Sequence, residues 1–155
     1  MDQEPIQDVD IVESLENVLA LSQPRLANMT VERRFAPDLP TIKAFGSELQ
    51  QAWQALIENA LDSMSGNGTL GLSTKLIDGA IIVEIRDDGP GIAPGNVSRI
   101  FEPFSTTKPF GKGLGLGLDT VQRVVTRHFG SVSYESSPSA TCFQVRIPVD
   151  RTQVY

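Results

Sequence analysis

With 155 residues, 40% of them apolar, 21% charged and 6% aromatic, the chain has the size and composition of one globular domain, and its length speaks against two full ones. Nineteen acidic against thirteen basic side chains leave a formal charge of −6, the opposite of the Lys and Arg excess with which proteins hold phosphate backbones, so a general nucleic-acid binder is disfavoured. A single cysteine, Cys142, excludes an internal disulfide and a cysteine-based zinc site; with no apolar run near the ~20 residues of a membrane span and no secretory leader, the chain is read as cytoplasmic, without membrane contact.

Residues 1–9 are polar and acidic and read as a linker, followed by one domain over 10–150 and a short tail at 151–155. Asp10 with Glu13 forms a capping signal, and Ile11, Leu15, Val18 and Leu19 follow at helical spacing until Pro24 stops the run. Residues 30–35 alternate as a short strand does, and Pro37 and Pro40 mark a loop. Ser47 with Gln50 offers a second capping box, and Leu49, Trp53, Leu56, Ala60 and Met64 make the stripe of a second helix that ends near Gly66. Residues 69–76 and 80–87 read as a hairpin turning at Asp78-Gly79, because both residues tolerate positive φ.

From Gly89 to Gly117 the chain concentrates more than half of its 13 glycines and four of its ten prolines, which predicts a long loop. A third helix starts in the glycines, with Leu114, Leu118, Val121, Val125 and Phe129 on one side, and strands near 131–136 and 142–147 close the chain. This order predicts an α+β fold, a two-layer sandwich in which a mixed sheet carries about three helices on one face.

Four clusters hold the residues with chemical potential: ENALDSM at 58–64, DDGPGI at 87–92, FEPFSTTK at 101–108 and GKGLGLGL at 111–118. Singly each has a plainer reading: a hydrogen-bonded Asn, a strand exit, a solvated Lys108. Glycines leading into a helix do suit an anion, because free backbone N–H groups and the helix N-terminus both favour negative charge. Residues 99–127 also carry a local excess of three positive charges. Two familiar phosphate loops are excluded. Gly111-Lys112 is followed by Gly113 where a Walker loop needs Ser or Thr, and the spacing of Gly113, Gly115 and Gly117 fails the dinucleotide fingerprint.

Taken together and in this order, the four clusters resemble the GHKL (Bergerat) ATP-binding fold, most closely the catalytic domain of bacterial sensor histidine kinases, over about Ile11 to Pro148. The resemblance implies ATP and Mg²⁺ as ligands. Asn59 would ligate the metal, with Asp62 on the same helix near the nucleotide. Asp87 would accept from the adenine amino group, with Gly89, Gly91 and Ile92 approaching the ring and Thr141 supporting it. Lys108 would reach the terminal phosphates from a lid anchored by Phe101 and Phe104, while Gly113, Leu114, Gly115, Leu116 and Gly117 would line the phosphate turn. Partners would be an acceptor-histidine dimerisation domain, upstream or in trans, and through it a response regulator. Ala55 stands where histidine kinases place Asn and hydrolysing relatives place a Glu base, so water activation is not expected; Leu114 and Ser105 also depart from the pattern. His128, before Phe129-Gly130, reads as a structural helix end rather than a phosphoacceptor. Alternative readings are a stand-alone anti-sigma-factor serine kinase and a nucleotide-binding signalling module without catalysis.

Overall fold

The computed structural model describes residues 5–64, 68–88, 114–137 and 140–149. Its elements are β1 (Gln7–Val9), α1 (Ile11–Leu21), α2 (Gln23–Leu26), β2 (Met29–Phe35), β3 (Ile42–Ala44), α3 (Gly46–Met64), β4 (Gly68–Ile77), β5 (Ala80–Asp87), α4 (Leu114–Arg127), β6 (Ser131–Ser137) and β7 (Ala140–Pro148). Five strands form the main sheet in the order β2-β4-β5-β7-β6. Among the described strands only β2 and β4 run parallel, and α3 lies in the crossover that such a pair requires. The mixed sheet with its three long helices is the α+β architecture that the sequence predicts.

Period-two patterning sorts the sheet into two faces. Leu70, Leu72, Ile81, Val83, Ile85, Phe143, Val145 and Ile147 are buried in the core with the apolar stripes of α1, α3 and α4. Their alternates Ser73, Glu84 and Gln144 lie on the other face, where Ser73 Oγ and Gln144 Nε2 donate to the Glu84 carboxylate at 3.2 and 2.8 Å. Trp53 is fully buried at the centre of α3, within the helix layer.

The local signals explain most boundaries. Asp10 caps α1 by accepting from the Glu13 N–H at 3.1 Å. Asp78 and Gly79 turn the β4–β5 hairpin with φ of 51° and 77°, both in the left-handed region that a tight hairpin needs. α4 forms despite Gly115 and Gly117 because Leu118, Val121, Val124 and Val125 give it a fully buried stripe.

Three expectations are corrected. Residues 1–9 are not all outside the core: Gln7–Val9 pairs antiparallel with Ile42–Ala44 in a second, two-stranded sheet, and Val9, Ile42 and Ala44 are buried. Three residues are too few for a periodic signal, which is why neither strand shows in the sequence. α1 does end ahead of Pro24, at Leu21, and Pro24 itself sits in the first turn of the short α2, where its missing N–H costs nothing. α3 starts at Gly46, so Ser47 lies inside the first turn rather than capping it. Phe129 leaves the α4 stripe: the chain turns at φ 63° there, the ring is 40% exposed, and Val124 takes the buried place. Among the described residues no helix is long and apolar enough to cross a membrane.

Candidate functional site

One end of the sheet gathers the polar groups that the apolar core should exclude. Asp87 is the last residue of β5, two positions beyond Ile85 and therefore on the helix-covered face, and it is only 3% exposed. It sits between Leu70 of β4 and Thr141 of β7 as direct cross-strand neighbours, and Thr141 is 4% exposed. A carboxylate and a hydroxyl side by side at the edge of a hydrophobic layer carry a desolvation cost that packing does not require. Asp88 points to the other face and serves the sheet itself, since its Oδ1 accepts from the Thr69 N–H at 3.1 Å and ties the start of β4 to the end of β5.

The helices bring the second group of candidates. Glu48 Oε1 lies 3.0 Å from Arg127 Nε, so the Glu48 side of α3 faces α4. Ala55 and Asn59 follow at helical spacing on that same side, both partly buried. Among the described residues Asn59 Nδ2 is buried without a hydrogen-bond partner, an unusual state for an amide next to a core. A half-turn of the amide exchanges nitrogen for oxygen, so the position offers an acceptor as readily as a donor. One neutral oxygen fits a hard cation that takes its other ligands from water and phosphate, which is how Mg²⁺ is held. Among the described residues no three His, Cys, Asp or Glu side chains converge as a protein-only metal cage.

Asp62 is placed otherwise than as a bare nucleotide contact. It forms an ion pair with Arg25 of α2 at 2.6 Å, both side chains being largely exposed. Sequence reasoning missed Arg25, because a four-residue helix leaves no periodic trace and its partner lies 37 residues away. Leu114, Gly115, Leu116 and Gly117 form the first turn of α4, whose N-terminal N–H groups lack intrahelical partners. Gly89, Gly91, Ile92, Phe101, Phe104, Lys108 and Gly113 lie outside the described residues.

His128 is 1% exposed and its ring is engaged on both sides, by the Phe45 N–H and the Val124 carbonyl, so the structural reading of this residue holds. A cleft of about 170 Å³ opens on the opposite face of the sheet, lined by Arg34, Gly71, Ser73, Glu84 and Arg86 and reaching Asp87 only at its end. Neither Asn59 nor any residue of α4 is among its described lining residues. Burial pushes the neighbouring Cys142 thiol up from its ordinary value, with Arg86 pulling the other way.

Residues 46–151 match the family described as histidine kinase-, DNA gyrase B- and HSP90-like ATPases. The sensory histidine kinase/phosphatase NtrB of Rhodobacter capsulatus is 35% identical over 136 residues, covering 79% of this chain and 38% of that protein. The chain spans between 17 and 41% of the length of this and two further curated relatives. The catalytic domain of the histidine kinase ThkA superposes with a TM-score of 0.84 over 96% of this chain and 97% of its own, at 22% identity. Full-length ShkA in complex with AMPPNP superposes with a TM-score of 0.81 at 30% identity, covering 95% of this chain and 32% of that one.

Proposed function

The chain belongs to the histidine kinase-, DNA gyrase B- and HSP90-like ATPase family as a catalytic domain of the histidine-kinase type, and we propose that it binds ATP together with Mg²⁺ and presents the γ-phosphate to a histidine on a separate helical dimerisation domain. The observation that carries this reading is Asp87, a carboxylate buried at the strand end on the helix face beside Thr141. A carboxylate held at that edge of the core can accept from a ligand, and the adenine amino group is a donor of the right kind.

On this reading Thr141 supports Asp87, and the backbone at Gly89, Gly91 and Ile92 closes on the ring. Asn59 holds the Mg²⁺, which neutralises triphosphate charge when bound. Asp62 acts from one turn further along α3, with Arg25 attached to it. Lys108 and the amides from Gly113 through Leu114, Gly115 and Leu116 to Gly117 receive the phosphates, where the N-terminus of α4 favours negative charge. The chain's own contribution is positioning and charge compensation, from which most phosphoryl-transfer catalysis derives. Ala55 supplies no base to orient water, so transfer to an acceptor is favoured over hydrolysis. The acceptor-histidine domain, a response regulator beyond it and a cytoplasmic site of action complete the proposal.

The test pairs binding with transfer. Asn59→Ala should weaken ATP binding in Mg²⁺ by roughly tenfold, about 1.4 kcal/mol, and leave Mg²⁺-free binding nearly unchanged. The wild-type chain alone should bind ATP yet form no acid-labile phosphoprotein, and adding a cognate acceptor domain should put the label on that domain. Equal loss with and without Mg²⁺ would remove Asn59 as the metal ligand, and acid-labile label on the isolated chain would overturn transfer in trans.

A further inference from the structure

The two helices that carry the proposed site are joined at their far ends through one imidazole. The Phe45 N–H donates to His128 Nε2 at 3.1 Å, and His128 Nδ1 lies 2.8 Å from the Val124 carbonyl. A backbone N–H only donates, so Nε2 must hold the lone pair; the single ring proton then sits on Nδ1 and is given to Val124. Both bonds exist together only in the neutral ring. An imidazolium would set a second N–H against the N–H of Phe45.

The position of these partners gives the ring its leverage. Phe45 directly precedes α3, and its carbonyl accepts the first helical bond from the Leu49 N–H at 3.0 Å. His128 directly follows α4, where the Gly130 N–H closes on the Val125 carbonyl at 2.9 Å. The Phe45 ring meets the imidazole edge-on at 5.6 Å, and the Arg127 guanidinium lies 4.4 Å from the Phe45 centroid. The start of α3 is thus locked to the end of α4. Asn59 is 14 residues along α3, about 20 Å away, and the glycine turn lies at the opposite end of α4.

Two ion pairs among the described residues flank this junction. Arg127 of α4 meets Glu48 of α3 at 3.0 Å, and Lys43 of β3 meets Asp8 of β1 at 2.7 Å. Arg146 of β7, whose carbonyl abuts Gly130, has an exposed side chain.

We infer that His128 is a positioning residue for the nucleotide: as a neutral imidazole it clamps the start of α3 to the end of α4, and acidification releases the clamp so that the two helices bearing the site slip against each other. This rests on the nucleotide site proposed above. The sign follows from proton counting. The clamped ring excludes a proton that the released ring binds, so the clamp holds at neutral and alkaline pH and is lost as pH falls through the ordinary imidazole value and below, from about pH 7 to 5.

Binding of AMPPNP with Mg²⁺ to the whole chain, measured across that range for wild type, His128→Gln and His128→Leu, tests the clamp. Gln offers an acceptor to Phe45 and does not titrate, so the wild-type affinity relative to His128→Gln, in which the nucleotide's own titration cancels, should fall tenfold or more on acidification. His128→Leu should bind weakly at every pH. In the wild type the Phe45 amide should lose hydrogen-exchange protection over the same range, ahead of amides in β5. A pH-independent affinity ratio or undiminished Phe45 protection overturns the clamp. Absence of AMPPNP binding by wild type at the neutral end overturns the nucleotide site instead, and the Phe45 profile then decides the clamp alone, as it does where a variant fails to fold.

Discussion

Asp-Gly follows a strand twice in this chain, at Asp78-Gly79 and at Asp88-Gly89, and the two places behave differently. At the first, Asp78 is exposed, adopts φ 51° and turns one strand of a hairpin into the next. At the second, an additional Asp87 stays within β5, buried on the helix face, while Asp88 holds the Thr69 N–H on the other side. The first Asp is explained by backbone geometry and the last by a hydrogen bond. Asp87 answers to a different constraint: an apolar residue would serve the core better at its position, yet a carboxylate is held there in the buried layer beside Thr141. A polar group whose burial the fold does not need is the physical mark of a ligand site.

This contrast breaks most decisively at Asp87. Asp87→Asn keeps the shape and replaces an acceptor with an amide able to present a donor, so ATP affinity should fall about 10- to 150-fold, roughly 1.5–3 kcal/mol, with folding intact. Titration calorimetry on the folded variant decides this, and unchanged affinity would remove Asp87 from the site.

Asp88 can be attacked from its neighbour. A Cβ at Gly68, which adopts φ 155°, would collide with the Asp88 carboxylate and with Met64 Sδ. Gly68→Ala should therefore cost about 1–3 kcal/mol in urea unfolding, most of it backbone strain and the displaced Asp88 bond. Asp88→Ala, which deletes only that partly solvated bond, should cost about 0.5–1 kcal/mol and leave nucleotide affinity within twofold. A large affinity loss in Asp88→Ala would show that the two carboxylates share one role.

The hairpin turn should respond least. Asn tolerates positive φ as Asp does, so Asp78→Asn should shift stability by no more than about 0.5 kcal/mol and ATP affinity not at all. A measurable affinity change there would couple the far end of the hairpin to the site and dissolve the contrast.

Residues legible in the sequence are those whose partners are near in the chain. Asp10 and Glu13 are three residues apart, Asp78 and Gly79 adjacent, and the stripes of α1, α3 and most of α4 repeat within one or two turns. The ordered clusters at 58–64 and 87–92 also named Asn59 and Asp87 as candidates, because their residue types and order survive without any contact being known. What stayed hidden has distant partners: the pairing of Gln7–Val9 with Ile42–Ala44, Arg25 on Asp62, the Phe45 N–H on His128.

The same division settles what each level determined. Sequence by itself determined the α+β class and the hairpin at Asp78-Gly79, since propensity, turn chemistry and periodicity act over a few residues, while the candidate residues came from the resemblance that their ordered clusters carry. Only the tertiary structure decided that Asp87 is buried beside Thr141, that Asn59 Nδ2 lacks a partner among the described residues on the side of α3 that faces α4, and that His128 spans two helices. Burial and desolvation are properties of segments brought together from across the chain, and no local pattern encodes them.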